Sequence, residues 1–168
     1  MNVLPVYRTS FFLSQKRNDG LRLRAVYAGD HVYTDFQIDE RFQSETGLPY
    51  NGIIFGITDV LMWYTLIMQA KKMCMTKKID IEILEPISCD SPYRARSKLL
   101  DADEKGFQVM AWIEDSKGTA CARITALFRE SRNIKLHEIV DSFDFSESTP
   151  EMKTFFKSSV RQHNSVDG

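Results

Sequence analysis

The sequence predicts an α+β domain in which an antiparallel sheet wraps around one long central helix. Two observations carry this. The run GLPYNGIIFGITDVLMWYTLIMQA, from Gly47 to Ala70, opens on turn residues and then stays apolar for longer than any strand. It is apolar around most of a helical circumference, so the helix it forms, starting near Asn51, belongs in the middle of the fold. Every other well-patterned stretch alternates apolar and polar residues with the period of a strand, two before the run and four after it. A single helix is buried on both flanks only when an antiparallel sheet curls around it.

Residues 1–20 form a mixed N-terminal segment with the apolar cluster Phe11, Phe12 and Leu13, closed by the turn QKRNDG. The domain proper spans residues 21–130. Leu21–Tyr27 alternates apolar and basic residues, Ala28-Gly29-Asp30 makes a turn, and His31–Ile38 alternates again, which together read as a hairpin. The polar DERFQSET leads into the helix, which is expected to end near Met75, with Lys71 and Lys72 suiting the negative end of its dipole. Lys78–Leu84 then puts Ile79, Ile81 and Ile83 on one face, and Pro86 closes it. Tyr93–Leu99, Phe107–Ile113 and Thr119–Phe128 follow, separated by DADEKG and DSKG turns, so these strands read as an antiparallel meander with short loops. Residues 131–168 form a less patterned C-terminal extension, with a short helix expected after Thr149-Pro150.

Composition narrows the function classes. At 168 residues the chain holds one domain with a proper core plus a tail. Lys and Arg number 22 against 23 Asp and Glu, which gives no basic field for nucleic acid. Cys74, Cys89 and Cys121 are scattered and odd in number, as in a reduced, cytoplasmic protein. The N-terminal stretch lacks the pattern of a secretory signal, and Asp59 interrupts the apolar run, so no membrane span is expected. His31, His137 and His163 have no metal-ligand spacing, and no phosphate loop, dinucleotide fingerprint or Ser/His/Asp arrangement is visible. No metal and no cofactor is expected.

The element order and several local signatures resemble the hotdog-fold acyl-CoA thioesterases, in particular the PaaI-like branch. The similarity runs from about Phe11 to Phe128. In that branch a Gly-Leu-containing strand opens the domain, as in NDGLRLRAVY. A later segment reads Gly, two apolar residues, His-Gly-Gly, then an apolar helix with an acid nine residues after the His. Laid on this sequence, Gly47 takes the first Gly, Tyr50-Asn51-Gly52 the His-Gly-Gly, and Asp59 the catalytic acid. Glu85-Pro86-Ile87 resembles the end of the family's strand after the helix, and DSKGTACARITALF its final strand. His is thus replaced by Tyr50 and the first Gly of the pair by Asn51. The resemblance implies a hotdog fold, thioester hydrolysis and a site shared between two subunits.

The residues support the same chemistry by a separate route. Attack on a thioester needs a carboxylate as base or nucleophile, and donors for the developing oxyanion. Asp59 supplies the first, and the helix start at Asn51-Gly52 supplies free N–H groups, with Gly52 allowing close approach. Seven residues of helix hold these features roughly 10 Å apart, so they converge only if antiparallel helices of a two-fold homodimer bring Gly52 of one subunit to Asp59 of the other. A dimer of dimers is the larger assembly considered. Tyr50, Ile53, Val60, Trp63 and Tyr64 would line the acyl slot, and Lys77, Lys78, Arg94, Arg96, Lys98 and Arg123 are candidate partners for CoA phosphates.

Each assignment has a plainer counterpart. Asp59 is equally explained as a buried acid tied to a backbone N–H or to Thr58, Asn51 as a helix N-cap, Tyr50 as a rim aromatic, and the cations as a solvated sheet face. At the level of function the alternative is a hotdog protein that binds an acyl-CoA or another apolar ligand without turnover.

Overall fold

The long apolar run forms helix α1, Asn51–Ala70, with one flank laid along a seven-stranded antiparallel sheet. The computed structural model describes residues 2–164. Met1 and residues 165–168, at the end of the expected C-terminal extension, lie outside the described residues, as does the side chain of His163. The elements are β1 (Asn2–Val3), β2 (Val6–Tyr7), β3 (Val26–Tyr27), β4 (Val32–Gln37), α1, β5 (Cys74–Ile83), β6 (Pro92–Asp103), β7 (Gly106–Asp115), β8 (Ala120–Glu130), α2 (Leu136–Ile139), β9 (Phe143–Asp144) and α3 (Pro150–Asn164). The large sheet runs β1-β3-β4-β6-β7-β8-β5, and β2 pairs with β9 in a separate two-stranded sheet.

Alternation decides which residues face the helix. Val32, Thr34 and Phe36 of β4 lie opposite Ser97, Ala95 and Tyr93 of β6, and all six are buried. Val109, Ala111 and Ile113 of β7 and Ala122, Ile124, Ala126 and Phe128 of β8 continue this layer. Several of these residues are small, so Ile54, Ile57, Leu61, Met62, Thr65 and Leu66 of α1 pack close to the strands. The Thr65 hydroxyl donates to Leu61 O at 2.9 Å and meets the Ser97 hydroxyl at 2.8 Å, which satisfies both buried groups.

The structure corrects four local expectations. The first expected strand, Leu21–Tyr27, is strand only at its end. The amides of Leu21 and Leu23 donate instead to the carbonyls of Phe11 and Phe12, and Arg22 adopts φ 54°. α1 stops at Ala70 rather than near Met75, because Lys71 takes the left-handed conformation and its N–H returns to Ile67 O. β5 does not sit beside β6. α1 carries the chain across the sheet, so β5 pairs with β8 at the far edge and the meander is limited to β6, β7 and β8.

The fourth correction concerns what covers the helix. The sheet wraps the helix as expected, but not alone: the part of the helix it leaves open is covered by the two ends of the chain. β2 and β9 pair Val6 with Asp144 and Tyr7 with Phe143. Phe143 is fully buried, stacked on Trp63 at 6.0 Å and edge-on to Tyr7 and Phe156. The Phe12 ring lies over Gly56, where a Cβ would clash with it. α1 is long and apolar enough to cross a membrane by length and composition, but most of it is buried inside this fold.

Candidate active site

Asp59 lies half-buried on α1, within reach of the β5 edge of the sheet. Its Oδ1 accepts a 2.6 Å hydrogen bond from the Thr76 hydroxyl, and among the described residues no ion pair reaches it. Burial pushes its carboxyl above the usual carboxylate range, and the Thr76 bond pulls partly back. Thr76 is placed by a bulge in β5, where the register against β8 shifts between Thr76 and Lys78. Thr58, expected as a partner, instead bonds back into its own helix, at 3.1 Å to Ile54 O and 3.0 Å to Phe55 O.

Asp59 opens into a cavity of about 310 Å³ lined by Tyr7, Ser10, Leu13, Val60, Trp63, Met73, Ile134 and Ile139. The lining is mainly apolar, which is why a carboxylate there is short of solvation. A larger groove of about 630 Å³ lies elsewhere, lined by Asp35, Arg94, Arg96, Glu114 and Asp115. Its charges are already engaged. Arg94 grips Asp35 at 2.6 and 2.8 Å, Arg96 pairs with Glu114, and Asp115 accepts from the amides of Lys117 and Thr119. The smaller cavity is therefore the candidate site.

At its N-terminal end, α1 starts at Asn51, so Tyr50 rather than Asn51 is the cap residue, and no side chain caps the helix. Tyr50, Asn51 and Gly52 are exposed, and the Tyr50 hydroxyl reaches Glu45 at 3.4 Å. The uncapped first turn keeps its free amides pointing outward.

No protein-family model matches the chain. No curated protein matches it in sequence. Solved structures do match. A thioesterase superfamily protein superposes with a TM-score of 0.65 at 16% identity, over 72% of this chain and 63% of that one. PaaI, from the phenylacetic acid degradation operon of E. coli, gives 0.61 at 11% identity, over 66% of this chain and 84% of that one. A thioesterase from Haemophilus influenzae gives 0.56 at 14% identity, over 64% and 77%. The chain has the hotdog fold. It spans just under two thirds of the length of the first of these neighbours.

Within this hotdog frame the structure brings Asp59, Val60 and Trp63 together in one cavity and leaves the other expected residues outside it. Asn51 and Gly52 stand about two turns away at the helix start, with exposed Tyr50 before them and half-buried Ile53 after them. Tyr64 is fully buried, and its hydroxyl donates to the Pro5 carbonyl, so it locks the N-terminal segment onto the hotdog helix rather than lining the slot. Sequence reasoning missed Thr76 because the strand was expected to start at Lys78. It missed Tyr7, Ser10, Leu13, Ile134 and Ile139 because they lie in unpatterned segments. Of the six cations considered for CoA phosphates, Lys78 pairs with Asp80, Arg94 with Asp35, Arg96 with Glu114 and Arg123 with Glu82.

Proposed function

We propose that this protein hydrolyses an acyl-CoA or similar acyl thioester, in the cytoplasm, at a site shared between two subunits. The observation that carries this reading is Asp59, a carboxylate of raised proton affinity facing an apolar cavity and held by one hydroxyl. With Thr76 on Oδ1, the Oδ2 atom takes a proton from water, and the resulting hydroxide adds to the thioester carbonyl carbon. The amides of Asn51 and Gly52 from the second subunit receive the oxyanion. Collapse breaks the C–S bond, and the departing thiolate takes the proton from Asp59. A base with raised pKa suits the task, because it accepts the water proton more readily than an ordinary carboxylate does.

The edge strand supports the two-subunit site. β5 ends the sheet with one side unpaired, and Met75, Ile81 and Ile83 on it are 38–53% exposed. Such an edge is a template for a second copy, and two β5 strands meeting antiparallel about a two-fold axis extend the sheet and cover these residues. The same axis sets the α1 helices antiparallel, so the Asn51–Gly52 end of one approaches Asp59 of the other.

Thiol release from acyl-CoA thioesters of graded chain length, run with wild type and Asp59→Ala, tests the reading. Turnover that disappears in a folded Asp59→Ala dimer supports hydrolysis. Equal background rates in both proteins would overturn it. The replacement of His by Tyr50 at the helix start favours the second reading, a binder without turnover, and tight calorimetric binding with background hydrolysis would select it.

Thr76→Val separates positioning from catalysis. Removing the hydroxyl takes away the bond that lowers the Asp59 pKa. The acidic limb of the pH–rate profile is then expected to move to higher pH, with a loss of about tenfold in kcat at neutral pH. An unmoved limb would leave Thr76 with no part in tuning the base.

A further inference from the structure

The N-terminal segment brings to the Asp59 cavity a polar side chain, Ser10, that the hydrolysis reading does not use. Tyr7 meets the Trp63 ring at 6.5 Å, and the Phe12 ring lies over Gly56. Between these contacts the segment runs antiparallel to α1, which sets Ser10 at the level of Asp59, and both residues line the cavity. The fold fixes Ser10 through its backbone and its side chain. Its amide donates to Tyr7 O at 3.1 Å, and its carbonyl accepts from the Ser14 amide at 3.0 Å. Its Oγ accepts the amides of Phe12 and Leu13, each at 3.2 Å. A hydroxyl has two lone pairs and one proton, so these two amides fill its acceptor side. The proton has no acceptor among the described residues, and it is the one polar group of Ser10 left to serve a ligand.

We propose that the Ser10 hydroxyl donates to the carbonyl oxygen of the thioester bound beside Asp59. The inference rests on the thioesterase reading for its ligand, which brings a carbonyl acceptor to the level of the carboxylate. Asp59, as an ionised base, cannot donate to that oxygen, and Leu13, Val60 and Met73 have no proton to give. Ser10 thus supplies a donor from the same chain as Asp59, and its bond strengthens as charge gathers on the oxygen in the transition state. It adds to the Asn51 and Gly52 amides that the same reading takes from the second subunit. The Ser10 O–H bond stays intact throughout, while Asp59 carries the proton from water to the departing thiolate. The cavity is open on one side, with Ile134 on its rim 41% exposed. Water therefore competes for the carbonyl, and the ground-state gain is small.

Calorimetry with two inert ligands tests the bond apart from turnover. One is S-octyl-CoA, a thioether without a carbonyl, and the other is S-(2-oxooctyl)-CoA, a ketone of the same chain length. Ser10→Ala is expected to lower the ketone-to-thioether affinity ratio by about fivefold, and an unchanged ratio would overturn the proposal. Thiol release from octanoyl-CoA gives the second readout. Ser10→Ala is expected to lose about tenfold or more in kcat with KM little changed, and Ser10→Thr, which keeps the hydroxyl, to recover most of it. An equal loss in both variants would mark an effect of the turn and count against the donor. Failure of the thioesterase reading is a separate outcome. Background hydrolysis in wild type, with the calorimetric ratio still falling in Ser10→Ala, rejects turnover and keeps the donor. If Ser10→Ala does not fold, Ser10→Asp keeps both amides bonded through a carboxylate that has no proton to give. An unchanged ketone-to-thioether ratio in that variant would equally overturn the proposal.

Discussion

Replacing Asp59 by Asn is expected to abolish thioester hydrolysis, by about a thousandfold or more, while making the folded protein more stable at neutral pH. Both effects have one cause. The carboxylate sits in an apolar cavity that raises its pKa above the ordinary 3.8, so the ionised form is held against a desolvation penalty. Asn is nearly isosteric, and its carbonyl can still accept the Thr76 hydroxyl, so the variant keeps the hydrogen bond and loses the charge. The pH dependence follows from linkage. Between the unfolded and the higher folded pKa, the native state binds more protons than the unfolded state, so wild-type stability falls as pH rises through that interval. Below the unfolded value, 3.8, wild type carries no such penalty. The stability advantage of Asp59→Asn should therefore be small near pH 3.5 and grow to a plateau at neutral pH. Denaturant melts at several pH values, paired with thiol-release assays, measure both halves. Stability gained without loss of turnover would leave Asp59 a structural residue.

Such a trade of stability for chemistry is the signature that the sequence could show. One acid inside an otherwise apolar helix breaks the local pattern, and residues that break a pattern without local compensation are where function concentrates. The architecture was legible for a related reason. The 20-residue α1 is preceded by turn residues and is apolar for longer than a strand, and each strand of the β6–β8 meander carries its own period of two. These are properties of short windows. The position of β5 was not legible, because Lys78–Leu84 alternates identically whether it pairs with β6 or with β8. The three-dimensional path of α1 decides between them. The partner of Asp59 was hidden in the same way. Thr58 is its neighbour in sequence, but its hydroxyl turns back onto the helix, and Thr76 arrives through the edge strand. Tyr64 directly follows Trp63, yet the roughly 100° step in azimuth between consecutive helical residues sends one to the cavity and the other to the Pro5 carbonyl.

The terminal segments were the least legible, and a prediction of large effect follows from them. Phe143→Ala is expected to destabilise the protein by about 3–5 kcal/mol, which at 2–4 °C per kcal/mol lowers Tm by roughly 10 °C. In sequence Phe143 is an aromatic in SFDFSESTP, a stretch with no helical or strand period to mark it as core. In the structure it has no exposed surface and touches four other rings, those of Tyr7, Trp63, Phe145 and Phe156. It therefore joins three parts of the chain: the N-terminal segment through Tyr7, the central helix through Trp63, and α3 through Phe156. Truncation leaves a cavity where all three meet, and the two-residue pairing of β2 with β9 is too short to hold the segments alone. The loss should appear first as local opening. Amide exchange of residues near Arg8 and Asp144 is expected to accelerate before that of β6–β8, because the sheet has its own core against the other flank of α1. Phe143→Leu, which fills most of the space, should recover most of the loss. A Phe143→Ala protein that melts like wild type, with unchanged exchange at Arg8, would show that the terminal segments do not depend on this ring.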